Sequence, residues 1–293
     1  MSNKQRISVY SLWMLFLFLC CTGCGSGRSN TDTITKTSDS TSIKTEPSIS
    51  ELKIRYHLDS IRDKVELDSF KRQYNPEQQK IIAAINRIDL SRIGIKCALV
   101  VPDTLLTDFS AYAPFPEQLD GADSISQLIL INKRIQLFAA YENGKRVQSG
   151  PVSTGRKAKP TPNKLYYTNY KAKRKVSTVD GDWIMPWYFN ISNNGGIGMH
   201  EYTLPGYPAS HSCIRMYREN AIWIFNWAQQ WVLSEDETSV LKHGTPVLVF
   251  GDYDFDQPSP WKQLPQNPDV LQLTEDEWTT VKSTISILLA EAQ

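Results

Sequence analysis

Residues 210 to 215 bring together side chains that could carry out nucleophilic catalysis. They read Ser210-His211-Ser212-Cys213-Ile214-Arg215, and His200 lies thirteen residues before the cysteine. A cysteine attacks a carbonyl as its thiolate, so it needs a base within reach and oriented donors for the oxyanion that forms. Taken alone, these residues allow either a Cys213 nucleophile with a histidine base or a buried cysteine near two surface imidazoles.

The other cysteines lie far from this segment. Cys20, Cys21 and Cys24 crowd the N-terminus, and Cys97 is the only other cysteine in the body of the chain. This distribution does not predict a disulfide framework. Cys97 alternates with apolar residues in a strand-like stretch, which favours a buried, small apolar residue there.

The N-terminus has the order of a secretory signal. Lys4 and Arg6 precede an uncharged, mostly apolar run from Val9 to Cys21, which is shorter than the roughly 20 residues that a spanning helix needs. The stretch Cys-Thr-Gly-Cys that ends at Cys24 resembles a bacterial lipobox. We therefore expect residues 1–23 to be a signal peptide and Cys24 to carry lipid; the alternative is a soluble secreted protein cut nearby. Both interpretations predict export.

The overall composition gives no further indication of a partner. With 32 basic and 31 acidic residues the net charge is +1, which predicts no general attraction to nucleic acid or to a membrane surface. Residues 156–175 hold eight basic residues and three tyrosines. This combination could bind single-stranded nucleic acid. Export argues against that interpretation, so we expect either a solvated hairpin or a surface that attracts carboxylates.

The segments before residue 124 predict a tether and then a small α-rich region. Residues 24–50 are rich in serine and threonine and almost free of large apolar residues, which predicts a lipidated, disordered tether. For residues 51–123 we expect two helices and one strand. The first helix follows a capping box at Ser48 and Glu51 and carries Leu58, Ile61 and Val65; the second begins at Asn75-Pro76 with Gln78; the strand spans Ile95 to Val101.

Residues 124–253 have the pattern of a mostly β domain. Strands are predicted at 128–132, 136–141 and 245–250, with a hairpin at Glu142-Asn143-Gly144-Lys145. One helix carries Trp223, Trp227 and Trp231 at a spacing of four, which is more typical of packing than of a ligand platform. Residues 254–293 predict a proline-rich stretch and a capped C-terminal helix from Thr274 with Glu277.

Several motifs in this domain, in the same order, resemble the YkuD-type L,D-transpeptidases. That family carries a histidine, a loop, then Ser or Thr, His, Gly, Cys, an aliphatic residue and Arg, which correspond here to His200 and residues 210–215. Three further motifs match its "VSTG" strand end, its "PTP" turn, and its "MP" strand with the glycine-rich approach to the histidine: Pro151 to Gly155, Pro160-Thr161-Pro162, and Ile184 to Trp187 with Gly195 to His200. The resemblance covers roughly residues 125 to 250.

This resemblance implies a fold, a reaction and a set of site residues. It implies a YkuD-like β-sandwich with one or two helices, and a cysteine acyltransferase in which Cys213 is the nucleophile and His200 the base, steered by a backbone carbonyl near Glu201. The resemblance assigns contacts with the oxyanion and the substrate to Ser210, His211, Ser212 and Arg215. For Arg215, a structural ion pair with a carboxylate such as Glu219 is an equal alternative. The implied partner is peptidoglycan stem peptide at the cell envelope, without a cofactor or metal.

Two features of the motif depart from the family pattern. Ser212 replaces the glycine before the nucleophile, and the spacing from His200 to Cys213 is a few residues shorter than usual. A Cβ at this position disfavours a positive φ and close approach of substrate. We therefore expect altered oxyanion geometry.

Other interpretations stay open at this stage. A thiol hydrolase of the same substrate, such as an L,D-carboxypeptidase, would have the same site, and an inactive wall-binding lipoprotein could hold Cys213 oxidised, in a pair with Cys97. Papain-like proteases place the nucleophile before its histidine, the reverse of the order here. A zinc site built from His200, His211, Cys213 and His243 lacks paired-ligand spacing.

Overall fold

A computed structural model of the protein describes residues 54–177 and 181–291, and the fold there is mostly β, as predicted. The signal, the lipidation site and the tether lie outside the described residues. All described residues belong to one compact unit. Its helices are α1 (Lys64–Gln73), α2 (Pro76–Ile85), α3 (Arg218–Trp227) and α4 (Glu275–Glu291). Its strands are β1 (Tyr56–Ile61), β2 (Cys97–Pro102), β3 (Leu128–Asn132), β4 (Leu137–Glu142), β5 (Lys145–Ser153), β6 (Lys164–Tyr167), β7 (Lys171–Val176), β8 (Ile184–Ser192), β9 (Ile197–Glu201), β10 (Ile214–Met216), β11 (Val232–Leu233), β12 (Val240–Lys242) and β13 (Pro246–Phe250).

The first predicted helix is wrong. Leu58 and Ile61 lie on β1, which pairs antiparallel with β2 from Tyr56↔Pro102 to Ile61↔Cys97. Leu58 and Val65 are exposed, so the two residues do not belong to one buried helical face with Ile61. The helix that does form, α1, begins after Asp63, whose side chain accepts a hydrogen bond from the Glu66 amide. The capping box at Ser48 and Glu51 falls outside the described residues.

The second helix and the following strand are confirmed. Asn75 and Gln78 form the complete capping box in front of α2, with Pro76 in the first turn. The strand begins two residues later than predicted, at Cys97, and Leu99 and Val101 are buried on it. Residues before 124 therefore contribute two helices and a two-stranded ribbon.

Nine strands form one mixed sheet in the order β6-β13-β3-β4-β5-β10-β9-β8-β7. The strands predicted at 128–132, 136–141 and 245–250 are confirmed as β3, β4 and β13. Asn143 and Gly144 both have positive φ in the predicted hairpin, as a tight turn between β4 and β5 requires. The pair β9–β10 is parallel, and it is here that the candidate site forms.

The two faces of the sheet carry separate apolar clusters. One face packs against α2, α4 and the buried Trp261. The other packs against α3, through Ala221 and Ile224. The capping box between Thr274 and Glu277 is confirmed, and Glu277 pairs with Arg134 at 2.8 Å. The segment after residue 253 thus packs on one face of the sheet as part of its apolar cluster.

The tryptophan stripe is shorter than predicted. Helix α3 ends at Trp227, so Trp231 lies beyond it. The rings of Trp223 and Trp227 stack at 4.8 Å and pack, partly buried, against the core. Among the described residues, no helix is long and apolar enough to cross a membrane.

Candidate active site

Strands β9 and β10 bring Cys213 and His200 to the same face of the sheet. Ile214 lies opposite Met199 and Arg215 opposite His200 in the parallel register. Cys213, directly before β10, therefore lies beside Gly198, two positions before His200. Because side chains two apart on a strand share a face, the thiol and the imidazole are on the same side.

His200 is fully buried and held by the main chain. Its Nδ1 lies 2.9 Å from the backbone oxygen of Glu201, which accepts a hydrogen bond from it. Its Nε2 is buried and has no hydrogen-bond partner among the described residues. The nitrogen that does not carry the proton is therefore available as a base.

Burial keeps both members of the pair neutral. It lowers the pKa of His200 to about 4, an effect that the Glu201 carbonyl opposes and the Arg215 charge reinforces. Burial also raises the pKa of the half-buried Cys213 thiol, offset in part by the Gly198 backbone and the Arg215 charge. The resting state is thiol and imidazole, so the proton would move to His200 as the sulfur attacks.

Ser212 adopts the conformation expected for glycine. Its φ is +85°, so serine adopts here the positive φ that a Cβ ordinarily disfavours. Two contacts hold this backbone: Thr161 Oγ1 donates to the Ser212 carbonyl at 2.8 Å, and Ser212 Oγ donates to the Lys159 carbonyl at 3.3 Å. A non-glycine residue in this region costs roughly 1–2 kcal/mol, which these contacts offset.

The same turn joins the motifs that the sequence suggested. Ser210 is buried, donates through Oγ to the Cys213 carbonyl at 2.5 Å, and bonds through its amide to the Thr154 carbonyl. Gly155 donates to Thr161 Oγ1 at 2.9 Å. A Cβ at Gly155 would lie 2.2 Å from the Lys159 carbonyl, so only glycine fits. The three motifs thus form one hydrogen-bonded unit around the cysteine.

Arg215 stacks on aromatic rings. Its guanidinium carbon lies 4.5 Å from the centre of the Tyr202 ring and 5.9 Å from that of Trp183. Among the described residues Arg215 forms no ion pair with Glu219 or another carboxylate, so the alternative of such a pairing is wrong. The Nε of Arg215 is buried without a partner there. The residue supplies a fixed positive charge beside the thiol.

A cleft of about 430 Å³ opens at Cys213. His211, which is exposed, lines it together with Met185 of the "MP" motif, Tyr170 and Lys175 of the basic stretch, and three residues that the sequence motifs did not single out: Trp183, Tyr188 and Asn190. Trp183 contacts the rings of both His200 and His211, at 6.5 and 5.8 Å. Trp183 stands directly before the "MP" strand, and this position in the sequence could have indicated that it lies at the site.

Tyr188 forms the wall behind the cysteine. A Cβ at Gly198 would lie 2.4 Å from its ring, so the ring packs directly against that glycine. Its hydroxyl donates to the Gly196 carbonyl at 3.2 Å and accepts from Asn190 at 2.9 Å. The Cys213 sulfur lies 3.7 Å from the same Gly196 carbonyl. Tyr188 thus fixes the glycine-rich approach to His200.

The basic stretch at 156–175 does not form one surface. Lys157 pairs with Asp256 at 2.9 Å, and Lys171 donates to the carbonyl of Phe225 at the end of α3. Lys175 alone of these lines the cleft at Cys213. Of the eight basic residues in the stretch, one lysine therefore meets the candidate site, together with Tyr170.

Cys97 and Cys213 are both free, so the alternative of a disulfide between them is wrong. His243, a member of the zinc alternative, stacks on Tyr167 at 4.5 Å. Within residues 54–177 and 181–291, no group of three or more His, Cys, Asp or Glu side chains could hold a metal ion.

The fold and this site define a mostly β domain with a cysteine and histidine on adjacent strands. Residues 126–249 match the model of the YkuD family, described as the L,D-transpeptidase catalytic domain. This segment, under half of the chain, is thus similar to that family. No curated protein sequence matches the chain.

Solved structures of several L,D-transpeptidases match parts of the chain at low identity. One from Stackebrandtia nassauensis is 18% identical with a TM-score of 0.36, over 44% of this chain and 58% of that one. One from Mycobacterium smegmatis is 17% identical with a TM-score of 0.34, over 43% and 59%. One from Enterococcus faecium is 21% identical with a TM-score of 0.34, over 43% and 50%. The chain thus spans less than two thirds of the length of each.

Proposed function

We propose that this protein is a cysteine acyltransferase of the L,D-transpeptidase type that acts on peptidoglycan stem peptides. One observation carries the proposal. Cys213 and the buried His200 lie on the same face of adjacent strands, and the Nδ1 of His200 is fixed by the Glu201 carbonyl while its Nε2 has no partner among the described residues. The family match of residues 126–249 supports the choice of reaction.

The first half of the reaction forms a thioester. Cys213 Sγ attacks the carbonyl of the L-centre of the diamino acid at position three of a tetrapeptide stem, while His200 Nε2 accepts the thiol proton. Backbone amides around Ser212 and Cys213 stabilise the oxyanion, each such donor being worth about 3 kcal/mol. The imidazolium then protonates the leaving amine, and D-Ala departs.

The second half transfers the acyl group. His200 takes a proton from the side-chain amine of a second stem, the amine attacks the thioester, and the cysteine thiol is regenerated with a 3→3 cross-link as product. A protein amine is an equivalent acceptor. Attack by water instead of an amine would make the protein an L,D-carboxypeptidase. The products of the test below distinguish transfer from hydrolysis.

The charges at the cleft favour an anionic donor. Among the described residues that line it, Lys175 is a cation and none is an aspartate or a glutamate. Arg215 adds a positive charge behind Trp183. We assign Lys175 and His211 to the free carboxylates of the stem peptide.

We further propose that the protein is exported and tethered by lipid on Cys24, facing the periplasm or the cell wall. The motif that supports this is in the sequence alone and lies outside the described residues. If extended, residues 25–50 reach on the order of 90 Å, so a lipid-held enzyme could act on wall polymer away from its membrane.

Incubation with a purified tetrapeptide muropeptide, followed by mass spectrometry of the products, tests this function. Loss of D-Ala with formation of dimers is the expected result. Loss of D-Ala with monomers alone would replace transfer by hydrolysis. An unchanged muropeptide in the presence of protein whose Cys213 thiol is shown to be free would contradict both.

A further inference from the structure

A second and larger cavity, of about 690 Å³, lies at the end of β9 away from Cys213. Glu201, Tyr202 and Thr203 line it, whereas Cys213 lies beside the start of that strand. Strand β10 pairs with β5 only at Arg215 and Met216. Residues 148–151 of β5 pair with β4 on one edge, and their other edge therefore faces the cavity instead of a second strand. Tyr202 separates it from the cleft, its ring 5.4 Å from that of Trp183.

One wall of this cavity comes from the part of the chain before the family match. Helix α2 contributes Lys80 and Ile81, and the short turn after β2 contributes Asp108 and Phe109. These residues lie outside the matched segment at 126–249. The cavity is thus a feature of this chain and not of the YkuD domain alone.

The cavity wall is acidic. It holds two cations, Lys80 and Arg218, and five carboxylates: Glu77, Asp89, Asp108, Glu201 and Glu219. Lys80 pairs with Glu77, and Arg218 pairs with Glu201, each at 2.9 Å. The other three carboxylates form no direct ion pair among the described residues, although Lys80 attracts Glu219 and Arg92 attracts Asp89 from a greater distance. A positively charged ligand would balance them.

A buried hydroxyl gives an independent indication of a ligand. Ser149 lines the cavity and is only 6% exposed, and its Oγ has no hydrogen-bond partner in the described part of the chain. Roughly nine in ten buried polar groups are paired in proteins, so this unpaired oxygen indicates a group that meets it in the bound state. Ile81, Phe109 and Pro186 add an apolar surface.

We propose that this cavity binds a primary ammonium group on an aliphatic stem, as in a lysine-type side chain of a peptide. Glu219 and Asp108 face the charge, Ser149 accepts a hydrogen bond from the ligand, and the apolar residues cover the stem. This site does not require Cys213 to be catalytic. The cavity also lies next to the residue that orients His200. Glu201 lines the cavity, and its backbone carbonyl accepts a hydrogen bond from the His200 ring.

Isothermal titration of the full-length Cys213→Ala protein with two matched probes tests the site. Nα-acetyl-lysine methylamide carries the ammonium group, and Nα-acetyl-norleucine methylamide has nearly the same stem without it. We expect the lysine probe to bind about 10-fold or more tightly than the norleucine probe, and its affinity to fall with added salt.

Two variants and a control locate the binding. Glu219→Gln should weaken the lysine probe about 3-fold, and Ser149→Ala about 3- to 10-fold. Glu235→Gln removes an exposed carboxylate outside the cavity and should change nothing. Because Glu219 is exposed, its variant stays informative even if Ser149→Ala folds poorly.

Amide chemical shifts show where the probe binds. Shifts at Gly150, Thr203 and Glu219 are expected on titration with the lysine probe. Equal affinity for both probes, no measurable binding of either, or shifts confined to Gly196, His211 and Cys213 would each overturn the proposal.

Discussion

Replacing Thr161 by valine removes one hydroxyl that supports the loop before Cys213. Thr161 is fully buried, and its Oγ1 accepts from the Gly155 amide at 2.9 Å and donates to the Ser212 carbonyl at 2.8 Å. Valine has almost the same shape but can make neither bond. The substitution therefore isolates the hydrogen bonds from the packing.

The expected loss of stability follows from the two backbone groups that lose their hydrogen-bond partner. The Gly155 amide is buried, and an unpaired buried donor costs about 1–3 kcal/mol. Ser212 is half-buried, so the loss of the hydrogen bond to its carbonyl adds about 1 kcal/mol. Thr161→Val should thus lower the free energy of unfolding by about 2–4 kcal/mol, or the Tm by roughly 5–15 °C.

Activity should fall more than stability alone explains. The Ser212 carbonyl is the main anchor of a residue at φ +85°, and the adjoining amides are the proposed oxyanion donors. A misplaced donor costs about 10- to 100-fold in kcat. Urea unfolding followed by tryptophan fluorescence measures the first effect, and D-Ala release from a tetrapeptide muropeptide measures the second.

Thr161→Ser is the matched control. It keeps the hydroxyl and removes only a methyl group, so it should retain activity and lose about 1 kcal/mol of stability. If Thr161→Val unfolds within about 0.5 kcal/mol of the parent protein and keeps its kcat, the hydrogen bonds through Thr161 do not hold the loop.

Three further predictions follow from the same geometry. Burial lowers the pKa of His200 to about 4, so the base is neutral above that pH and kcat/KM should rise through about pH 4; an acidic limb near the ordinary histidine value of about 6.5 would contradict this. Lys175→Met should raise KM for an anionic stem about 5-fold with kcat little changed, whereas Lys173→Met, outside the cleft, should alter neither. Burial opposes ionisation of Glu277, but the bonds from Arg134 and the Thr274 amide outweigh it and hold the pKa of Glu277 below its usual value. Its contribution to stability is thus present above about pH 4.5 and lost as pH falls through the lowered pKa, and Glu277→Gln should cost about 2–4 kcal/mol at neutral pH in urea unfolding and progressively less as the pH falls below 4.5.

Features set by neighbouring residues could be predicted from the sequence. The capping boxes at Asn75 and Thr274 and the Asn143-Gly144 turn each depend on a few adjacent residues, and all three are present. The strands at 128–132 and 245–250 were marked by short apolar runs. The order of motifs around His200 and Cys213 predicted a mostly β domain for the same segment that matches the YkuD family.

Features set by distant parts of the chain could not be predicted. Residues 56–61 form a strand because β2, about forty residues further on, pairs with them. Ser212 takes a positive φ because Thr161, 51 positions away, holds its carbonyl. The rings of Trp183 and Tyr188 meet the site only when β8 lies next to β9. Each depends on long-range pairing that local propensity does not encode.

The central claim is that Cys213, with His200 as its base, forms a thioester with the donor stem. Intact-protein mass spectrometry of the enzyme, quenched in acid during turnover of a tetrapeptide muropeptide, tests it most directly. We predict a covalent adduct equal to the stem without its D-Ala, located on the peptide that contains Cys213, and absent from Cys213→Ala. Its rate of formation should be greatly reduced in His200→Gln. An adduct that persists in Cys213→Ala, or D-Ala release at the normal rate in His200→Gln, would contradict the account.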